Sequence, residues 1–240
     1  MKYKKYPKYK DSDVEWIGKI PEDWKTSRIK FYFNIKTGKT LQSKKKHEND
    51  IQVPYITVGN VFWEKVVMND LDTMWVEPDE VKKYGVKNHD LLVCEGGEAG
   101  RSTIVDEIKN PCITQNHVHV IRPKKDFSIG FLLYTLEAVK DSGWFEAITK
   151  RVSIPTLPNT VLGNTKIPIP SPDTQIQIYK FLKKETTQID NLIEKIHGKI
   201  EIKPYQLYIE APNNYLSLLY EKRRALITAT VTGKIDVRGI

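Results

Sequence analysis

The stretch PIPSPDTQIQIYKFLKKETTQIDNLIEKI, from Pro168 to Ile196, sets the hardest constraint on this chain, because it halts the fold and starts a helix almost in one step. Prolines recur at Pro155, Pro158, Pro168, Pro170 and Pro172. Each fixes its own φ and pushes the preceding residue away from the helical region, so Ile154 to Pro172 is expected to be an extended, semi-rigid strap leaving a globule. Asp173 or Thr174 can then cap a helix whose apolar positions step by four and three. These are Ile178, Leu182, Ile189, Leu192 and Ile196, with Glu185 as the one polar intruder and Phe181 and Ile193 widening the stripe. Such spacing fits the seam of a helical pair, and equally a single amphipathic helix lying on its own domain. A second helical stretch, Asn214 to Val231, carries Leu216, Leu219, Leu226 and Ile227 on one side. Between the two, Gly198, Pro204 and Pro212 oppose helix continuity, and a break is expected over 198–213.

The sequence before the strap reads differently. Tyr55 to Trp63, Asn88 to Gly97, Arg101 to Glu107 and Cys112 to Pro123 are rich in β-branched and aromatic residues and punctuated by glycine or by the Asn110-Pro111 turn. From Phe127 to Ile148 the period changes to that of a buried helix, with Ser142-Gly143 as a stopping point. An α+β fold follows: a sheet-rich globular part, then long C-terminal helices.

Lys and Arg number 38 against 30 Asp and Glu, a net charge of +8, and such a field attracts polyanions. Cys94 and Cys112 are too far apart to suggest a disulfide framework or a zinc knuckle, which fits a reducing cytoplasm. No charged-then-apolar leader and no long apolar run is present, so neither secretion nor a membrane span is expected. Catalytic patterns are fragmentary. Asp79, Glu107 and Lys109 mimic the scattered acids and lysine of a metal-dependent nuclease, but a solvated turn explains Glu107 as well. His117 and His119 share a strand face without a third ligand at a diagnostic spacing. EGGEAGR, Glu95 to Arg101, lacks the following helix of a phosphate-binding loop and reads as a tight turn between strands.

Basic clusters are more coherent. TGKTLQSKKKHEND, Thr37 to Asp50, offers Lys39, Lys44, Lys45 and Lys46 to phosphates and Gln42 to a base edge, although taken alone it reads at least as well as a solvated lysine loop. Lys150 and Arg151 flank the strap, and with Arg101, Gln115 and Asn116 these residues are candidates for one nucleic-acid face.

Six segments then occur in one order: DSDVEWIGKIPEDWK from Asp11, YITVGNV from Tyr55, DLLVCEGGEAGRSTIV from Asp90, IPIPSP from Ile167, TQIDNLI from Thr187 and EKRRALITATVTGKIDVR from Glu221. In this the chain resembles the specificity subunit of type I restriction-modification enzymes. The resemblance implies a target recognition domain over 1–170 and C-terminal helices forming a coiled-coil-like spacer over 171–240, interrupted around 198–213. It also implies a chain without catalysis of its own, which reads double-stranded DNA for a modification (methyltransferase) subunit and a restriction subunit. S-adenosylmethionine, ATP and magnesium would then belong to those partners. The sequence departs from the family at Asp13, where glycine is usual, and at Thr174, which precedes Gln175 where an acid is common. It also holds one recognition domain and one spacer region where the family usually holds two. A homodimer would restore the pair, its spacer helices packing antiparallel along Ile178, Leu182, Ile189, Leu192, Ile196, Leu219 and Leu226.

Overall fold

The computed structural model describes residues 3–63, 65–149, 156–197 and 214–239. Its centre is a four-stranded antiparallel sheet in the order β4 (Phe33–Thr37), β10 (Val118–Pro123), β7 (Leu91–Cys94), β8 (Ser102–Ile104). Leu91, Leu92, Val93 and Cys94 are all buried, as a central strand covered on both faces requires. One sheet face carries Leu91, Val93, Ile121 and Phe33 into the main core, and the other carries Leu92, Val118 and Val120 into a smaller one with Ile56, Val61 and Val105. A second sheet sets β5 (Ile51–Ile56) between antiparallel β6 (Thr73–Val76) and parallel β9 (Ile113–Thr114), and helix α1 (Pro78–Tyr84) follows β6. At the N-terminus β1 (Tyr9–Asp11) pairs with β2 (Lys19–Pro21).

Asp13, in the turn between β1 and β2, has φ of +54°, a left-handed conformation that favours glycine. Its N–H donates to Asp11 Oδ1 at 2.9 Å, which offsets part of the cost. Asp13→Gly is therefore expected to stabilise the fold, by up to about 1 kcal/mol, in a urea titration.

From residue 156 onward the proline segment does not leave the globule as a strap, and Ile154 and Pro155 lie outside the described residues. Leu157 is fully buried, and helix α4 (Asn159–Asn164) starts directly after Pro158. Strand β11 (Lys166–Ile169) then pairs with β3 (Lys25–Arg28), with Pro168 opposite Thr26 in a two-stranded sheet, the edge position that tolerates a missing N–H. Pro158, Pro168 and Pro172 punctuate elements that the core still covers.

Helix α5 (Pro172–His197) opens with proline at its first position, and the cap is Ser171 rather than Asp173 or Thr174. The Thr174 N–H donates to Ser171 Oγ at 3.3 Å, and the Gln175 N–H to the Ser171 carbonyl at 2.9 Å. The covered positions run Thr174, Gln175, Ile178, Phe181, Leu182, Thr186, Ile189 and Ile193. They follow the 3.6 period of a straight helix, not the 3.5 of a supercoil, so the stripe passes to Ile193 and leaves Leu192 44% exposed. Ile178, Leu182, Ile189, Leu219 and Leu226 are all buried in the chain's own core, and Ile196 packs against it. Residues on either side of position 170 thus share one cluster. The expected break at 198–213 lies outside the described residues.

Helices α2 (Ile129–Asp141), α5 and α6 (Asn214–Val231) pack together. Gly130 makes the approach of α2 and α5 possible, since a Cβ there would sit 2.3 Å from the Tyr179 ring. Short helix α3 (Trp144–Thr149) follows Gly143, whose φ of +73° ends α2 at the expected place. Beyond α6 the chain returns to its own N-terminus: Lys234 Nζ donates to the carbonyls of Ile17 (2.7 Å) and Lys19 (2.6 Å), and Tyr9 Oη to that of Gly233. No helix among the described residues is long and apolar enough to cross a membrane.

Candidate nucleic-acid interface

Antiparallel pairing brings the C-terminal ends of β4 and β7 to the same edge as the N-terminal ends of β8 and β10. The segments beyond them meet there. Gly38 and Lys39 lie against Gln115 and Asn116, with the Lys39 N–H donating to the Thr114 carbonyl (2.8 Å) and the Asn116 N–H to the Lys39 carbonyl (3.0 Å). The Gln115 N–H donates to the Ile56 carbonyl at 2.9 Å, tying in the 3₁₀ turn Val58–Asn60 that continues β5. The Glu95 N–H reaches the His117 carbonyl at 2.8 Å, and the Leu157 N–H reaches the Glu95 carbonyl at 2.7 Å. Gly38 has no room for a side chain, because a Cβ would lie 2.2 Å from the Gln115 carbonyl oxygen. Gly38→Ala is expected to cost about 1–3 kcal/mol, since only a backbone shift can relieve that clash; thermal unfolding measures it.

Three of the cations and amides expected to face a ligand are instead spent on holding this edge together. Lys39 Nζ lies 2.7 Å from Glu80 of α1, and both side chains are largely covered. Gln42 Nε2 donates to Asp50 Oδ2 at 2.8 Å. Arg101 Nη2 donates to the Val58 carbonyl at 2.7 Å and Nη1 to Glu98 Oε2 at 3.2 Å, with the guanidinium 5.6 Å from the Phe62 ring centre. Arg101 therefore buckles two turns to each other and offers no free fork for a phosphate.

Lys44, Lys45 and Lys46 remain exposed, on a loop shaped by a residue that sequence reasoning missed. Buried Asp50 accepts the Lys46 N–H at 2.9 Å and the His47 N–H at 3.2 Å as well as Gln42, and these bonds hold its carboxyl below the usual range. The readable signal was an acid closing a lysine run, the pattern of a side chain that bonds nearby backbone N–H groups. Lys45 Nζ lies 5.7 Å from the centre of the Trp75 ring. Gln115 and Asn116 are half-exposed on the turn before β10. Lys150 and Arg151 lie outside the described residues.

The two histidines do not act as a pair. His117 is exposed in the turn, whereas His119 is fully buried, donates from Nε2 to the Leu157 carbonyl at 2.9 Å and lies 3.2 Å from Thr37 Oγ1 through Nδ1. Burial holds the His119 imidazole below its ordinary pKa, although Glu95 beside it pulls the other way. Of the nuclease candidates, Glu107 and Lys109 border one hollow of about 340 Å³ with Asn110 and Cys112, and Asp79 is exposed in the first turn of α1. Among the described residues no three His, Cys, Asp or Glu side chains are grouped to hold a metal ion. Both cysteines are free and buried, and burial pushes the Cys112 thiol up to about 11.

Comparison with known proteins gives a consistent result. The fold is like that of a chain solved in work on complex assembly and conformational transition of the type I R-M system, with TM-score 0.56 at 13% identity over 95% of this chain and 49% of that one. It is also like the HsdS subunit from Thermoanaerobacter tengcongensis, with TM-score 0.52 at 13% identity, covering 95% and 48%. In sequence the chain is 28% identical over 236 residues to the type I restriction enzyme MjaVIII specificity subunit of Methanocaldococcus jannaschii, covering 93% of this chain and 49% of that protein. The MjaIX specificity subunit of the same organism is 25% identical over 205 residues, covering 84% and 45%. The chain thus spans about half the length of the relatives it matches. The model of the type I restriction modification DNA specificity domain matches residues 21–202, and the chain belongs to that family.

Proposed function

We propose that this chain is the DNA-reading specificity subunit of a type I restriction-modification system, with one recognition lobe per chain. The observation that carries the reading is the edge of the four-stranded sheet, where an exposed three-lysine loop and a turn with two half-exposed amides are joined through Lys39. Lys44, Lys45 and Lys46 fix register on phosphates while the amides face base edges in the major groove. In this reading the chain performs no chemistry. S-adenosylmethionine, ATP and magnesium belong to the modification and restriction subunits, and the adenine to be methylated is flipped into the methyltransferase.

Two copies would supply the two lobes that a chain of half length lacks, with residues 171–240 as the spacer between them. Identical lobes about a twofold axis read an inverted repeat. Apolar surface left open on the helices supports such pairing: Leu192 on α5 is 44% exposed, and Tyr215 and Leu218 on α6 are 58% and 56% exposed. Titrating duplex DNA with the full chain over a salt series tests the reading. Affinity that falls by about 0.9 log units per log unit of salt for each phosphate neutralised supports it, and absent or salt-independent binding overturns it. The particle mass, alone and with the methyltransferase subunit, tests the pairing: a monomer in both defeats the twofold arrangement.

A further inference from the structure

We infer that the turn Gln115–Asn116–His117 is the base-reading element of this lobe, and that its two amides select adenine. The inference rests on the DNA-reading function proposed above and names the residues that give it sequence preference.

A reader of base edges needs a fixed backbone and unspent side chains. Both conditions meet at this turn. Its backbone is held on four sides: the Gln115 N–H bonds the Ile56 carbonyl, the Asn116 N–H bonds the Lys39 carbonyl, the Val118 N–H closes on the Gln115 carbonyl, and the His117 carbonyl accepts from Glu95. Gly38 presses against the Gln115 carbonyl with no space for a Cβ, so the turn cannot slide toward β4. The side chains of Gln115, Asn116 and His117, by contrast, make no hydrogen bond among the described residues. Three neighbouring amides at the same edge are engaged. Gln42 donates to Asp50, Asn60 accepts from Thr57, and Asn159 donates to Thr37 Oγ1 at 3.4 Å. Fold stability explains those three and leaves the amides of the turn without an internal task.

The surroundings suit close approach of a duplex. On one side the loop leaving Lys39 carries Lys44 to Lys46. On the other the Gly96-Gly97 turn presents bare backbone, with nothing within 4 Å of where a Gly96 side chain would be. Two of the nearby acids are already matched, Glu80 by Lys39 and Glu98 by Arg101 and Lys140, while Glu95 lies by His119. A terminal amide offers one N–H₂ donor and one carbonyl acceptor side by side, the complement of adenine N7 and N6–H₂ in the major groove. Consecutive amides on one turn would read adjacent positions.

Selection from a pool of randomised duplexes, with the full chain as bait, tests the assignment. Gln115→Ala and Asn116→Ala should each lose about ten-fold or more discrimination at one base position, with the salt slope unchanged. Asn116→Asp, which can only accept when ionised, should move that position from adenine toward cytosine, whose N4–H₂ donates. Each variant is checked for an unchanged thermal midpoint, expected because these half-buried side chains make no hydrogen bond among the described residues. Variants that select the wild-type sequence, or that lose only salt slope, overturn the inference and leave the DNA-reading function standing. A wild-type chain that selects no sequence and binds without salt dependence overturns that function itself.

Discussion

Replacing Arg223 with methionine is expected to lower the unfolding free energy by about 3–5 kcal/mol. Arg223 on α6 is the only cation joined to two acids from two other helices at the junction of α2, α5 and α6 among the described residues. It ion-pairs with Glu137 of α2, and its Nε donates to Asp190 of α5 at 2.8 Å. The side chains of Arg223 and Glu137 are 14% and 10% exposed, so water does little to replace a lost partner. Burial already pushes the Glu137 carboxyl up to about 7 despite Arg223, and without the guanidinium it rises further. The sign of the pH dependence follows. A carboxyl whose folded pKa lies above its unfolded value contributes fully below the unfolded value of 4.5 and loses that contribution as pH rises through the folded one. Wild type and variant lose it together up to about pH 7, where the wild-type loss levels off, so the penalty of Arg223→Met should grow mainly above pH 7 and be larger at pH 8 than at pH 5. Adding Glu137→Gln should recover part of it, most of all at pH 8, because a neutral amide needs no counter-charge. Urea titrations of the single and double variants at the two pH values decide the matter: an equal loss at both would show that Glu137 does not carry the effect.

The elements legible in the sequence are those governed by local pattern. Strands β7 and β10, the buried face of α2 and its stop at Gly143, and the amphipathic character of α5 all follow from period and turn chemistry. Pro158 to Pro172 misled because a proline states only what its own backbone cannot do; Pro168 forbids a central strand and permits the edge pairing that β11 makes with β3. The phase of α5 misled for a related reason. Apolar residues at Ile189, Leu192 and Ile196 fit a supercoil, and only the packing of α2 and α6 selects Ile193 in place of Leu192.

At the candidate interface the residue types were legible and their employment was not. Lys39, Gln42 and Arg101 look in sequence like Lys44 to Lys46, Gln115 and Asn116. What separates them is a partner 41 residues on for Lys39 and Glu80, or 43 residues back for Arg101 and Val58, and no local pattern encodes such pairings. Gln42 is the exception, since Asp50 lies only eight residues away and closes the same loop. The fold therefore divides one apparent cluster into residues that build the edge and residues left to use it.

That division makes the second large prediction selective. Replacing Lys44, Lys45 and Lys46 together with glutamine is expected to reduce the salt slope of DNA binding by up to about 2.7, which is roughly 0.9 for each phosphate no longer neutralised. At 0.1 M salt the same counterion term amounts to a loss of affinity of up to ~500-fold, shrinking toward nothing at 1 M. The loss should be uniform across DNA sequences, because phosphates carry no sequence information. Stability should scarcely change, as the three side chains are exposed and the loop is organised by Asp50 through Gln42 and the backbone of Lys46 and His47. Lys39→Gln should behave in the opposite way. It strips Glu80 of its ion pair at the base of the loop, so it should weaken the fold while leaving the salt slope nearly intact. Anisotropy titrations at four salt concentrations, paired with thermal melts, separate the two outcomes. If the triple variant keeps the wild-type slope, the loop does not meet the phosphate backbone, and the duplex must lie across another face of the sheet edge.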